Sequence, residues 1–227
     1  MKDAIILCSG GLDSVVAAHF VEKRLEYGKI RVLFFDYGQK ALEQERVCSR
    51  RCSSNLSSEF VEVKLDELGK LSTSLINRDG FVEEVKDLKD TSGENEKWYV
   101  PCRNLIFLSY ALGLAEARFV EKGIVSDIFV GFKNEGKEPF PDATQEFVEK
   151  MNSVGKEVCA SRFEILAPLI DKDKEDIILL GKELGVDFRK TFSCYVGKEK
   201  HCGKCLACKL RKAGFEWSGV EDVSEYD

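Results

Sequence analysis

Residues 4–20 read AIILCSGGLDSVVAAHF. Ala4 to Cys8 is a short apolar run of strand type, and from Leu12 onward the apolar residues recur at helical spacing. Between them stand Ser9, Gly10, Gly11, Leu12, Asp13 and Ser14, small and polar residues at a strand-to-helix turn. In an open parallel sheet such a turn delivers an anion to a helix N-terminus. Glycine lets backbone N–H groups come close to the anion, serine hydroxyls donate to it, and the positive end of the helix dipole favours it. Asp13 is the odd member, because a carboxylate repels phosphate unless a metal ion lies between them. The plain alternative is a glycine-rich turn with a serine or aspartate cap. The stretch lacks the Gly-Lys-Ser/Thr ending of the Walker loop and the G-x-G-x-x-G spacing of dinucleotide binders.

Outward from this turn, strand-like runs at Ala4 to Cys8, Arg31 to Asp36, Glu59 to Lys64, Asp127 to Phe132 and Phe163 to Leu166 alternate with helical segments. The helices LDSVVAAHFVEKRLEYG, NLIFLSYALGLAEARFVEKG and KEDIILLGKELG each stop at glycine. The alternation predicts an α/β fold, a doubly wound five-stranded parallel sheet over residues 1–190. Residues 65–99 are polar and weakly periodic, which predicts a long surface excursion with one short helix and a role as a lid. Residues 191–227 form a separate cysteine-bearing region.

The chain has 227 residues, a net charge of -6 and nine cysteines. That length suits one large domain with a modest appendage. The acidic balance argues against a nucleic-acid-coating surface, so no stable nucleic-acid complex is expected. No apolar run is long enough to span a membrane and no basic leader opens the chain, so the expectation is a cytoplasmic protein.

Cys194, Cys202, Cys205 and Cys208 fall in a C-x7-C-x2-C-x2-C pattern. Four thiolates suit a closed, structural tetrahedral zinc site, with an iron–sulfur cluster as the competing occupant. His201 reads as solvent-facing, His19 as an ordinary helix residue, and Cys48 and Cys52 as plain helix residues.

The S-G-G-x-D-S pattern matches the pyrophosphate loop of the ATP pyrophosphatases. With FDYGQK, NRDG at Asn77 to Gly80, YVPCRN at Tyr99 to Asn104, PDA at Pro141 to Ala143, APLIDKDKED, TFSCYVG and CGKCLACKLR, the chain resembles the QueC family of 7-cyano-7-deazaguanine synthases over most of its length. The resemblance implies an adenine nucleotide alpha hydrolase-like fold with a zinc-bearing C-terminal region, assembled as a homodimer. It also implies ATP and magnesium as cofactors, and 7-carboxy-7-deazaguanine and ammonia as partners, with AMP and pyrophosphate released.

Carried onto this sequence, Asp13, Arg103 and Lys174 become the catalytic candidates. Ser9, Gly10, Gly11, Leu12, Asp13, Ser14, Asp36, Gln39, Arg103, Asn104 and Lys174 become the nucleotide-side candidates, and Phe140 and Asp142 the substrate-side ones. The family's G-V-x-x-x-D-x-S-G-Y-P-D-C-R pattern is altered here: Gly136, Glu138, Pro139 and Phe140 stand where it has Asp, Ser, Gly and Tyr, and Ala143 and Thr144 replace Cys-Arg, so polar recognition groups are lost. VPGRN becomes VPCRN, with Cys102 expected as a small apolar filler. These changes open two alternatives. One is a paralogue, as in bacterial defence systems, that passes the activated acid to another amine, including one on a protein. The other is a catalytically inactive nucleotide-binding interaction protein.

Overall fold

The computed structural model describes residues 1–86, 88, 93–134 and 140–227. Gly136, Glu138 and Pro139 of the altered loop lie outside them. Five parallel strands, β1 (Asp3–Leu7), β2 (Ile30–Asp36), β3 (Glu59–Lys64), β4 (Ser126–Phe129) and β5 (Ile165–Leu166), form one sheet in the order β3-β2-β1-β4-β5. β1 is central and pairs on both sides, Ile6 standing beside Val32 of β2 and Phe129 of β4. The expected alternation is therefore present, and the strand order reverses at β1, which opens the crevice beyond its carboxyl end.

The helices are α1 (Leu12–Arg24), α2 (Leu42–Asn55), α3 (Asp66–Leu71), α4 (Glu94–Trp98), α5 (Arg103–Lys122), α6 (Gln145–Val158), α7 (Lys174–Glu183) and α8 (Leu206–Ser218). Successive residues of β1 point to opposite faces. Ala4 and Ile6 join the apolar cluster of α1 and α7, whereas Ile5 joins that of α5 and α6. Both faces are thus covered, which suits the nearly continuous apolar sequence of β1 and β2.

Several boundaries differ from the sequence expectation. α1 ends at Arg24, four residues before Gly28. Gly28 serves the sheet instead: its N–H donates to the Lys2 carbonyl, and a Cβ there would lie 2.9 Å from an Asp3 carboxylate oxygen. α5 does end at glycine, Gly123 taking φ +66°. Among its described residues the excursion carries two short helices, α3 and α4, where one was expected, and it is anchored to its surroundings. Asn77 Nδ2 donates to the carbonyls of Tyr37 and Gly38 at the end of β2, and the Val85 N–H donates to the Lys204 carbonyl in the cysteine region.

The C-terminal region packs onto the same apolar cluster as α5 and α6 through Cys194, Cys202, Cys205 and Leu206, and α8 lies against α7. Among the described residues no helix is long and apolar enough to cross a membrane.

Candidate active site

The turn after β1 is held from three sides. Gly10 takes φ +79°, and a Cβ there would meet the Glu45 carbonyl at 2.5 Å and Cys48 Cβ at 2.8 Å, so only glycine admits this approach of α2. The Gly10 carbonyl accepts the Phe192 N–H at 2.9 Å, and Ser49 Oγ donates to the Cys8 carbonyl at 2.8 Å. Gly131, just past β4, completes the enclosure: a Cβ there would lie 2.9 Å from the Ser14 nitrogen. Gly11 is the N-cap of α1 and no side chain caps it, which leaves the first-turn N–H groups directed at the crevice.

A cavity of about 860 Å³ opens above this turn, lined by Ser9, Gly11, Leu12, Asp13, Ser14, Gln39, Arg103, Asn104, Phe140 and Lys174 among others. Most of the sequence candidates therefore meet in one space. Lys174, at the start of α7, places its ammonium 2.6 and 2.7 Å from the two Asp13 carboxylate oxygens. These are the cation and the anion that the sequence assigned separately to phosphate and to metal, and they form an ion pair with each other. Arg103, the first residue of α5, sits with its guanidinium 5.9 Å from the Tyr37 ring centroid and donates to the Tyr37 hydroxyl at 3.4 Å. Burial raises the Tyr37 phenol to about 12 against the opposing pull of Arg103.

Three candidates stand outside the cavity wall. Gly10 lies behind the turn, as described. Asp36 closes β2 with its carboxylate on Arg46, 3.1 Å away. Asp142 accepts the Asn104 backbone N–H at 3.0 Å, while its carbonyl accepts Asn104 Nδ2 at 3.0 Å, so it clasps the N-terminus of α5 beside Arg103.

Other wall residues had no place in the sequence reading. Phe35 and Phe107 stack at 4.1 Å with their planes 5° apart, and Tyr195 joins the wall from the cysteine region. Glu45 lines the cavity, and its carboxyl accepts from Nε2 of Gln39, another lining residue, at 2.9 Å. Burial pushes it up to about 7, against the Gln39 hydrogen bond and the Arg103 charge. A signal for Glu45 does exist: Ala41, Glu45, Cys48 and Cys52 fall on one helical stripe whose other members are buried and small or apolar.

The sulfurs of Cys194, Cys202, Cys205 and Cys208 all lie within 4.8 Å of one another and all four residues are buried. Cys202 Sγ and Cys208 Sγ are 3.9 Å apart. A tetrahedral ion with metal–sulfur bonds of about 2.3 Å spaces its sulfurs by about 3.8 Å, so the site fits a metal. Backbone N–H groups of Val196, Cys202 and Cys205 point at the sulfurs, as thiolate ligands require. Hydrogen bonds from Cys194 and the other thiols hold Cys202 well below the ordinary thiol range. They also push Cys208 well above it, since a fourth buried negative charge needs a cation.

Two sequence expectations are corrected here. His201 is buried, packed between Phe192 and Tyr226, and its Nε2 accepts the Ser193 N–H, because the C-terminal Tyr226 folds back over it. Cys102 is exposed, not a buried filler. It takes φ +55° as the N-cap of α5, a conformation glycine adopts without strain.

Fold and loop define the class, a doubly wound α/β protein with a glycine-rich turn after its first strand and a four-cysteine cluster that fits a metal. The chain belongs to the QueC family, described as Queuosine biosynthesis protein QueC, which matches residues 3–219. It is similar to the 7-cyano-7-deazaguanine synthase of Methanothermobacter thermautotrophicus, 36% identical over 226 residues covering 98% of each chain. The protein of the same name from Methanocaldococcus jannaschii is 38% identical over 241 residues, again with 98% of each chain covered. Among solved structures, the U34-tRNA thiolase NcsA of Methanococcus maripaludis with its [4Fe-4S] cluster aligns over 96% of this chain and 65% of its own, at a TM-score of 0.48 and 14% identity.

Proposed function

We propose that the protein is an ATP-dependent ligase that converts 7-carboxy-7-deazaguanine and ammonia to 7-cyano-7-deazaguanine, releasing AMP and pyrophosphate. The observation that carries this reading is the meeting of the uncapped N-terminus of α1, the Asp13–Lys174 pair and Arg103 in a single cavity. Family membership supplies the substrate class.

The first step joins two anions, the substrate carboxylate and the α-phosphate, so charge must be neutralised and the groups aligned. The N–H groups of the β1–α1 turn, with Ser9 and Ser14, would hold the pyrophosphate as it departs. Lys174 would follow the phosphate charge and Arg103 would orient the carboxylate. The oxygen donors of Asp13 and the two serines suit a hard cation, and magnesium bound there would offset phosphate charge. Displacement of AMP by ammonia then gives the amide, and a second adenylation at the amide oxygen allows loss to the nitrile. The stacked Phe35–Phe107 pair and Phe140 offer flat apolar surface to a deazapurine. The cysteine site would hold zinc as a structural ion. Asp36, with its carboxylate on Arg46, would act by fixing the end of β2.

A second reading rests on the wall of the altered loop. Ala143 and Phe140 line the cavity where the family pattern has cysteine and tyrosine, which removes polar recognition groups. A paralogue that passes the activated acid to a different amine is the outcome this would produce. Protein incubated with ATP, magnesium, 7-carboxy-7-deazaguanine and ammonium chloride should release AMP and pyrophosphate only when the acid is present. Formation of ADP would refute ligation by adenylation. The product mass separates nitrile from conjugate.

A further inference from the structure

We infer that the Glu45 carboxylate receives the proton of the incoming ammonium, so that free ammonia attacks the activated acid. This rests on the adenylation reading above. Amide formation consumes ammonia, yet at neutral pH the nitrogen arrives almost wholly as ammonium. Some group must attract that cation and take one proton from it before the nitrogen lone pair can form the C–N bond. The C–O bond to AMP then breaks and AMP leaves with the electron pair; the nitrogen, positively charged after attack, gives its second proton to water to leave the neutral amide, and Glu45 returns the first proton to solvent.

Glu45 suits both tasks by position. Its backbone packs on Gly10 behind the phosphate turn, the residue lines the same cavity as Arg103 and the Asp13–Lys174 pair, and its carboxyl feels the Arg103 charge. Gln39 fixes it in place: Gln39 Oε1 accepts the Tyr37 N–H at 2.9 Å, and Nε2 donates to the Phe35 carbonyl at 3.0 Å as well as to Glu45 Oε2. The amide orientation is thereby set by the backbone, and one carboxylate oxygen is held while the other is left for a ligand. Among the described residues no cation forms an ion pair with Glu45. The ionisable groups around it are Arg103 of α5, the Tyr37 phenol after β2 and the Cys48 thiol one turn along α2. With its carboxyl pushed up to about 7 by burial, Glu45 is part ionised at neutral pH, the condition for an efficient proton acceptor.

The test compares wild type with Glu45→Gln and Glu45→Asp, using ammonium chloride or hydroxylamine as the nucleophile. Hydroxylamine is largely unprotonated at neutral pH and needs no base. Glutamine can still accept from Gln39, so the fold should be retained, and circular dichroism checks it. At pH 7 the Glu45→Gln protein should lose about 100-fold in ammonium-dependent turnover, and far less with hydroxylamine. At fixed total ammonium the wild-type rate should level off above its acid limb near pH 7. The Glu45→Gln rate should instead keep climbing by about tenfold per pH unit as free ammonia increases, whereas Glu45→Asp should retain the levelling. Equal losses with both nucleophiles, or a Glu45→Gln protein unaffected with ammonium, would overturn the inference. A wild-type protein that releases no pyrophosphate with the deazaguanine acid would refute adenylation itself, and this inference with it.

Discussion

Cys102 holds a left-handed backbone at φ +55° with no glycine to relieve it, at the point where the chain turns into α5. For a residue with a Cβ that conformation costs about 1–2 kcal/mol. Cys102→Gly should therefore stabilise the protein by about 1 kcal/mol after the added chain entropy is subtracted, a rise of roughly 2–4 °C in Tm for a chain of this size. Thermal unfolding followed by circular dichroism measures it, and an unchanged or lower Tm would show that the turn is unstrained. The residue types that carry the turn after β1 were legible because each is suited to it locally: Gly10 by its positive φ, and Ser9, Asp13 and Ser14 by their placement at a helix start. Glu45 was hard to see for the opposite reason. One glutamate of the two in LEQE gains its character only from what α2 packs against.

Between elements, two side-chain clasps tie distant segments together, one beside the cavity and one at the opposite end of β1. Asp142 accepts the first-turn N–H of α5 and so does the work of an N-cap from a distant loop. Asp142→Ala should destabilise the protein by about 1–2 kcal/mol. It should also weaken binding of the carboxylate substrate, since Arg103 stands at that helix start; urea unfolding and substrate titration read the two effects. The second clasp is Asp3, whose carboxylate meets Arg31 of β2 and Arg118 of α5, each at 3.1 Å, and accepts the Lys29 N–H. Burial alone would raise its pKa, but the Lys29 N–H and the two guanidinium groups outweigh burial and leave it below the ordinary value of 3.8. A carboxyl lowered on folding adds stability that is fully present above the unfolded value and is lost as pH falls through the folded one. Stability should thus decline below about pH 4. Asp3→Asn should cost about 3 kcal/mol at neutral pH and flatten that acid limb; denaturant midpoints measured across pH 3–7 would show it. These clasps join residues 38 and 115 apart in sequence, and no local pattern announces such partners.

At the scale of the molecule the cysteine region is part of the cavity as well as its neighbour. Phe192 ties it to the β1–α1 turn through Gly10, while Tyr195 and Leu206 line the cavity. Without a cation, four buried thiols cannot all ionise. Removal of the metal with a strong chelator should lower Tm and weaken ATP binding together, and metal analysis should return one zinc per chain. Loss of metal that leaves nucleotide affinity unchanged would separate the two regions.

The order of strands and helices, the glycine-rich turn after β1 and the four-cysteine pattern follow from the sequence, because periodicity, turn chemistry and ligand spacing act over a few residues. The pairing of Asp13 with Lys174, the burial of His201, the role of Asp142 and the carboxyl of Glu45 were decided by tertiary structure. Each depends on a surface brought from far along the chain, and burial, which sets charge and partner alike, exists only once that surface has arrived.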